Sequence, residues 1–246
     1  MRSILVSILS LSLILSASPS RAGFLDDLTR QAAPLLQGGV GSSLDDSTII
    51  KGLKEALATG TERAVNEVAK PDGYFGNSLI KIMLPPKVQK VADLLGTVGY
   101  QKQVDDFVLS MNRAAEKAAP QAASYFGDAI REMTVDDARG LLNGGDRAAT
   151  DFFEKKTRAK LYNAFKPTVG KTMGEVGTVK AFQDMVGKYQ ALPLAAFGGK
   201  PSLDLDDYVT NKALDGLFTM VAAEEKKIRT NPAARTTDLL KTVFGK

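Results

Sequence analysis

The sequence predicts an all-α protein, folded as a single compact globule of about eight to ten helices. Apolar residues recur at spacings of three and four from Leu44 onward, which is the period of an amphipathic helix. Turn and cap signals separate these runs, at Pro71-Asp72-Gly73, Gly144-Gly145 and Asn231-Pro232. Only Leu79–Leu84 alternates like a strand. One short strand cannot form a sheet, so we expect at most an extended segment or half a small hairpin there.

The first 22 residues are typical of a secretory signal peptide. Arg2 provides a positive start, Ile4–Leu15 is an apolar stretch, and Ser20-Arg21-Ala22 places small residues before Gly23. The apolar stretch is too short to span a hydrocarbon layer of roughly 30 Å, which disfavours the alternative of a membrane anchor. No Cys follows it, which excludes a lipoprotein. We therefore expect an exported, periplasmic protein, cleaved after Ala22.

Residues 23–43 are expected to form an arm and a linker ahead of the domain. Phe24–Leu36 carries one apolar stripe, and the following Gly39–Ser43 is rich in glycine and serine. Such an arm suits peripheral contact with a membrane or an envelope protein. Residues 44–246 are then expected to form a single helical domain, in which we find no internal repeat.

The first helices of that domain have clear limits. Asp45–Lys70 is a helix that stops at Pro71-Asp72-Gly73, and Pro85-Pro86 starts another that Gly99 caps. Val104–Lys117 and Ala119–Met133 follow, with Thr134 as the N-cap of the next helix and Asp136 and Asp137 in its first turn.

The second half of the domain contains longer helices. We expect Asp146 to cap a helix that runs to about Phe165, where Pro167 interrupts it. Helices over Val179–Ala191 and Leu205–Thr230 come next. Asn231-Pro232 then places Pro at the first position of a final short helix, which runs through Val243.

The composition excludes many functions. The chain has no Cys, His or Trp, so thiol chemistry, zinc and iron–sulfur sites and Ser–His–Asp catalysis are not available to it. Its formal charge of +4 falls to +2 when the signal peptide and its two arginines are removed. A balance this close to neutral gives no sign of nucleic-acid binding. No cofactor is expected.

The first candidate cluster lies on the predicted helix Val104–Lys117. Asp105, Asn112 and Glu116 are spaced to form a polar stripe, and Arg113 lies on the same turn as Glu116. We expect a buried polar network that fixes helix register. Metal binding is the weaker reading, since calcium loops place their oxygen ligands at alternate loop residues and not along a helix.

Two further candidates lie later in the chain. Asn143 and Asp146 precede a helix whose first amides could bind an anion, although Asp146 is itself placed to cap them. The remaining candidates are Glu224, Glu225, Arg229 and Arg235. We expect a salt-bridge cluster at a helix corner, with an acidic–basic recognition patch as the alternative.

Several motifs resemble one bacterial family. They include Asp72–Asn77 (DGYFGN), Ser110–Glu116 (SMNRAAE), Leu141–Phe153 (LLNGGDRAATDFF) and Leu214–Gly245. These runs are similar to signatures of domain-of-unknown-function family 4197, and the resemblance extends from about Leu44 to Lys246. It implies a secreted helical protein, and no activity or site residue comes with it.

The sequence therefore favours a non-enzymatic binding or interaction module for an apolar ligand or an envelope partner. No catalytic constellation is present, and aliphatic helix faces are abundant. Two alternatives stay open: a hydrolase or transferase that uses carboxylates around Glu116 or Glu224 and Glu225, and a purely structural envelope protein.

Overall fold

The computed structural model describes residues 46–175, 177–191 and 204–231. The predicted signal peptide, arm, linker and final helix lie outside these residues. The chain divides into two units, Met1–Gly39 and Val40–Lys246, and every described residue belongs to the second.

The described residues form eight α-helices, one 3-10 turn and no strand, which confirms the all-α prediction. The helices are α1 (Asp46–Ala69), α2 (Pro86–Thr97), α3 (Gln101–Ala118), α4 (Ala122–Arg131), α5 (Val135–Leu142), α6 (Ala148–Glu175), α7 (Thr178–Gln190) and α8 (Leu205–Thr230), with the 3-10 turn Ala119–Gln121 between α3 and α4. None of these helices has the length and hydropathy that a bilayer crossing requires.

The core lies where the long helices meet. Helix α8 packs along α6 and α1, and α3 packs on α6. Phe126, Phe153 and Phe218, from α4, α6 and α8, are buried together, with ring centroids 5.1 and 6.1 Å from that of Phe126. Tilted aromatic pairs at these distances are favourable beyond the area that they bury.

The predicted caps of the short helices are present. Thr134 accepts a hydrogen bond from the Asp137 amide, and the Asp137 carboxylate accepts one from the Thr134 amide, so the two residues form a capping box at α5. The hydrogen bonds that the carboxylate accepts from the Thr134 amide and hydroxyl lower the pKa of Asp137. Gly99 follows α2 with φ of +92°, a conformation that favours glycine.

Helix α6 corrects one prediction, because it continues through Pro167 to Glu175. Beyond the proline, Val169, Thr172 and Met173 are buried, and their packing holds the last two turns in place. Pro167 itself is exposed, and so is Asn163, whose carbonyl loses its intrahelical bond to the missing N–H. Water can bind that carbonyl, so the interruption is tolerated.

The strand-like stretch Leu79–Leu84 is not a helix and not part of a sheet. Its first residues complete a turn, in which the amides of Ile80 and Lys81 donate to the Asn77 carbonyl. The alternating pattern of the sequence nevertheless appears in its burial, since Ile80, Ile82 and Leu84 are buried while Leu79 and Met83 are exposed.

Replacing the helix-interior proline should stabilise the fold. Pro167→Ala restores a backbone N–H in α6, and interior Pro costs about 3 kcal/mol relative to Ala. Alanine also makes the unfolded chain more flexible than proline does, which offsets part of this gain. We therefore expect the free energy of unfolding to rise by about 1–3 kcal/mol.

Pro86→Ala is the matched control, because Pro86 is also exposed but occupies the first turn of α2, where Pro is favourable. It should lower the free energy of unfolding by less than about 1 kcal/mol. Urea denaturation of both variants measures the difference. A Pro167→Ala variant no more stable than Pro86→Ala would contradict this account of α6.

Candidate functional site

Two polar side chains enter the core from the middle helix α3. Its apolar face fixes their direction, because Phe107, Met111 and Ala115 are fully buried. Asn112 and Glu116, four residues apart on the same side of α3, are 0% and 4% exposed. Both face the loop segment between α1 and α2, here called the 72–84 segment.

Glu116 binds the start of this segment. Its Oε1 accepts hydrogen bonds from the backbone amides of Tyr74 and Phe75, at 3.1 and 3.3 Å, and its Oε2 accepts one from Arg113 at 2.7 Å. Arg113 also donates to Asp72 at 2.7 Å. The hydrogen bond to Glu116 is the main cause that raises the pKa of Arg113. Two amides and a guanidinium thus compensate the buried carboxylate.

Asn112 binds the end of the segment. Its Oδ1 accepts a hydrogen bond from the Ile82 amide at 2.8 Å, and its Nδ2 donates to the Ile82 carbonyl at 2.9 Å and to the Val108 carbonyl at 2.8 Å. The primary amide therefore pairs with both backbone groups of one residue, as a neighbouring strand would.

Tyr74 joins the same segment to α8. Its side chain is fully buried, and its hydroxyl donates to the Ala213 carbonyl at 2.6 Å. Burial, assisted by the charge of Glu116, raises the pKa of Tyr74 well above its usual value, so the phenol stays a donor. Gly216 makes room for the ring, since a Cβ there would lie 2.6 Å from the Tyr74 Cε1 atom.

A second cluster joins α8 to the start of α6. The Glu225 carboxylate accepts hydrogen bonds from the amides of Ala149 and Thr150, at 2.9 and 2.8 Å, and from the Thr150 hydroxyl at 2.7 Å. Arg229 donates to Glu225 at 2.9 Å and to the Leu141 carbonyl at 2.9 Å. A carboxylate thus meets the N-terminus of α6, and a guanidinium meets the C-terminus of α5, as the helix dipoles favour.

The prediction that Asp146 caps α6 is wrong. The amides of Ala149 and Thr150 donate to Glu225, and that of Ala148 donates to the Gly145 carbonyl. Asp146 lies exposed in the turn before the helix. The first amides of α6, which the sequence offered to a bound anion as the alternative, thus bind a carboxylate of the chain itself.

The predicted stripe of Asp105, Asn112 and Glu116 does not form. Asp105 is exposed near the start of α3 and accepts a hydrogen bond from Gln101 at 2.8 Å. It lies almost two turns from Asn112, on the part of the helix that the 72–84 segment does not cover. Only Asn112 and Glu116 of the stripe reach the buried network.

The other predicted site residues lie around the second cluster or outside it. Glu224 is bound by the exposed Lys227 at 2.6 Å. Asn143 is exposed at the C-terminus of α5, and Arg235 lies outside the described residues. Arg113 therefore accompanies Glu116, and Arg229 accompanies Glu225, in two separate networks.

The chemistry of both networks is that of structural anchors. Each carboxylate accepts hydrogen bonds on both oxygens, and all of the donors are groups of the protein itself. In the described ranges, no three Cys, His, Asp or Glu side chains come together as a metal site would require. Arg229 and Glu225 border a cavity of about 30 Å³ between α1, α6 and α8, with room for about one water molecule.

Several participants were missed in the sequence. Asp72 and Tyr74 lie in the Asp72–Asn77 motif, a turn without helical periodicity, and Thr150 has no distinguishing spacing. Their partners are 41, 139 and 75 residues away, so local periodicity carried no signal of them.

Neutralising Glu116 should destabilise the protein strongly. In Glu116→Gln, an amide replaces the carboxylate, and its NH₂ group must face either the backbone amides of Tyr74 and Phe75 or Arg113, which are all donors. We expect a loss of about 2–4 kcal/mol in the free energy of unfolding. Asp105→Asn on the exposed part of the same helix is the control and should change it by less than about 0.5 kcal/mol. Equal losses would contradict the anchoring role.

Two adjacent residues allow a similar comparison in α8. Glu225→Gln removes the charge that caps α6, and should lower the free energy of unfolding by about 2–4 kcal/mol. Glu224 is as buried as Glu225, but among the described residues its one partner is a solvent-exposed lysine and it accepts from no backbone amide, so Glu224→Gln should cost less, about 1 kcal/mol. Thermal denaturation of both variants measures the two losses of stability. A larger loss for Glu224→Gln than for Glu225→Gln would overturn the assignment of Glu225.

The comparisons with known proteins give one result. Residues 43–245 match the model of a family described as protein of unknown function, DUF4197. No curated protein and no solved structure matches the chain. The match covers the helical domain almost from end to end, including both carboxylate networks and the 72–84 segment. The chain belongs to the DUF4197 family.

Proposed function

We propose that the protein is an exported helical interaction module, which acts by binding a protein partner of the cell envelope and not by catalysis. One observation carries this proposal: in both buried networks, the carboxylate oxygens already accept hydrogen bonds from groups of the protein itself. Glu116, Glu224 and Glu225 are the acids of the hydrolase or transferase alternative. Glu116 and Glu225 are each bound by two backbone amides and an arginine, and Glu224 is paired with Lys227. Breaking either network to perform chemistry would leave buried charges unpaired.

The cavities favour a protein partner over an apolar small molecule. Ligand sites generally measure about 300–1,000 Å³ and are mostly apolar. Within the described ranges, the pocket between α1, α6 and α8 measures about 30 Å³, and a second, beside α8, measures about 180 Å³ and has charged and polar side chains at half of its lining positions. Neither has the size and lining that a lipid-like ligand would need.

The exposed surface also supports binding. Leu79 and Met83 are 81% and 55% exposed, although the segment that carries them is tied to the core by hydrogen bonds from α3 and α8. Large apolar side chains held in water by a fixed backbone are typical of an interaction surface. A purely structural role gives no reason for such a surface.

The export that we propose rests on the sequence of the first 22 residues. Its basic start, short apolar stretch and small residues around Ala22 support cleavage before Gly23. The absence of cysteine also suits an oxidising compartment, where a free thiol would be open to mispairing.

Cross-linking in intact cells tests the proposal. The full-length gene, with a C-terminal tag, is expressed in a bacterial host of the same envelope type, and the periplasmic fraction is purified with and without an amine-reactive cross-linker. We expect a protein that begins at Gly23 and a discrete cross-linked product with one partner at defined stoichiometry. An uncleaved protein in the cytoplasm contradicts the export, and a strictly monomeric periplasmic protein with no cross-linked product contradicts the interaction function.

A further inference from the structure

The 72–84 segment presents an unusual backbone. Because Asn112 binds both the amide and the carbonyl of Ile82, these two groups point to the same side, which is the arrangement of an extended residue. In an extended chain the groups of the neighbouring residues point the opposite way. Lys81 and Met83 therefore direct their backbone groups away from α3.

On either side of Ile82, one backbone acceptor and one backbone donor have no partner among the described residues. The Lys81 amide donates to the Asn77 carbonyl, and the Met83 carbonyl accepts from the Tyr208 hydroxyl at 2.9 Å. The Lys81 carbonyl and the Met83 amide make no hydrogen bond with the described residues. A strand added at this edge can bond to both of these groups. In parallel orientation a single residue of the added strand reaches both, and in antiparallel orientation two of its residues reach one group each.

A cavity of about 180 Å³ adjoins this stretch. Its lining comes from residues 79–82 of the segment and from Lys212, Asp215, Gly216 and Thr219 of α8. Asp215 is already paired with Arg158 at 2.6 Å and with Lys212 at 3.5 Å. Lys81 adds another positive charge, held 3.9 Å from the centre of the Phe75 ring. Arg158 is itself also paired with Glu154, so the balance comes from the lining, where two lysines against one aspartate leave a net positive charge that favours an acidic group.

Apolar side chains border the same place. Leu79 and Met83 are the two most exposed large apolar side chains among the described residues, and they lie on either side of Lys81. An extended peptide alternates its side chains at about the same spacing as the segment it pairs with. A peptide paired beside Ile82 can thus cover Met83 with an apolar side chain and place an acidic one near Lys81, while its end contacts Leu79 in the turn that precedes the extended stretch.

We propose that Lys81–Leu84 is a docking edge for an extended, acidic–apolar peptide segment of a partner protein, which adds beside Ile82 as a single strand. The partner's backbone N–H donates to the Lys81 carbonyl, and a partner carbonyl accepts from the Met83 amide. Main-chain bonds of this kind give affinity, and the flanking side chains give selectivity. This inference names the site and partner class of the proposed interaction function and rests on it.

The anchors described above make this edge rigid before the partner arrives. Asn112 and Glu116 fix the two ends of the segment to α3, and Tyr74 fixes it to α8. Little backbone entropy is then lost when a peptide pairs with it, which favours binding. The two buried side chains of α3 thus act on binding through the position of the segment.

Peptide selection on the purified protein, residues 23–246, tests the site. The probe is a displayed library of random twelve-residue peptides. We expect enriched peptides with apolar residues at alternate positions and an acidic residue among them. Leu79→Asp should weaken their binding about tenfold or more, since it places a charge beside the acidic peptide and removes an apolar contact. Val135→Asp, at an exposed apolar residue of α5, is the control and should leave binding unchanged.

A pair of substitutions at Met83 isolates the backbone bond. Met83→Pro removes the N–H and the side chain, while Met83→Ala removes the side chain alone. The extended Ile82 accepts a following proline without strain. We expect Met83→Pro to bind about fivefold more weakly than Met83→Ala, the effect of one hydrogen bond. Circular dichroism checks that both variants keep their helices.

The outcomes separate this inference from the proposed function. No enriched peptide, or equal binding by Leu79→Asp and Val135→Asp, overturns the docking edge. Equal binding by the two Met83 variants overturns strand pairing. If the cross-linked partner in cells is retained by Leu79→Asp, the interaction function stands and this site for it is wrong. If wild-type cells give no cross-linked partner, the function itself fails.

Discussion

The carboxylate of Glu116 is the group on which the architecture around α3 depends. It is almost fully buried, and it would be costly there without the Tyr74 and Phe75 amides and the Arg113 guanidinium. By binding those amides, it fixes the turn after α1 against α3. Tyr74 is then directed at α8, and the chain arrives at Ile82 where Asn112 can bind it. One buried charge therefore sets the course of a loop that has no secondary structure of its own to hold it.

Glu225 has the corresponding role in the second network, where it joins α8 to the start of α6. In each case a helix carries a glutamate and an arginine three or four residues apart, and the glutamate accepts from two consecutive backbone amides of a distant segment. The arginine then neutralises the carboxylate and reaches a further group, Asp72 in one network and the Leu141 carbonyl in the other. On a surface such a pair contributes only some tenths of a kcal/mol. Here the pair stabilises the fold mainly because its carboxylate accepts hydrogen bonds from backbone amides that would otherwise be buried without an acceptor.

The sequence predicted what depends on local chemistry. The helix class and the limits of α1, α2, α5 and α8 follow from apolar spacing and from caps such as Thr134 at α5 and Gly99 at α2, because both signals act within a few residues. The helix through Pro167 was not predictable in this way, since the packing of Met173 and its neighbours outweighs the local cost of the proline.

The polar sites show the same division between local features, which the sequence predicts, and long-range contacts, which it does not. Asn112, Glu116 and Glu225 were identified as candidates from their place on helices, and a buried network was expected around the first two. Their partners at Ile82, Tyr74 and Thr150 were not identified, because they are brought close only by the packing of helices far apart in sequence. Asp146 was taken for the cap of α6 for the same reason: the residue that replaces it, Glu225, lies 76 residues beyond Ala149.

Hydrogen exchange at single amides tests the central role of Glu116 most directly. The amides of Tyr74, Phe75 and Ile82 are followed by NMR in the wild-type protein and in Glu116→Gln, under conditions where both are folded. We predict that all three are protected in the wild type. In the variant, exchange should accelerate by about tenfold or more at Tyr74 and Phe75, while amides in the middle of α6 keep their protection. Unchanged exchange at Tyr74 and Phe75 would contradict the claim that this buried carboxylate holds the segment in place.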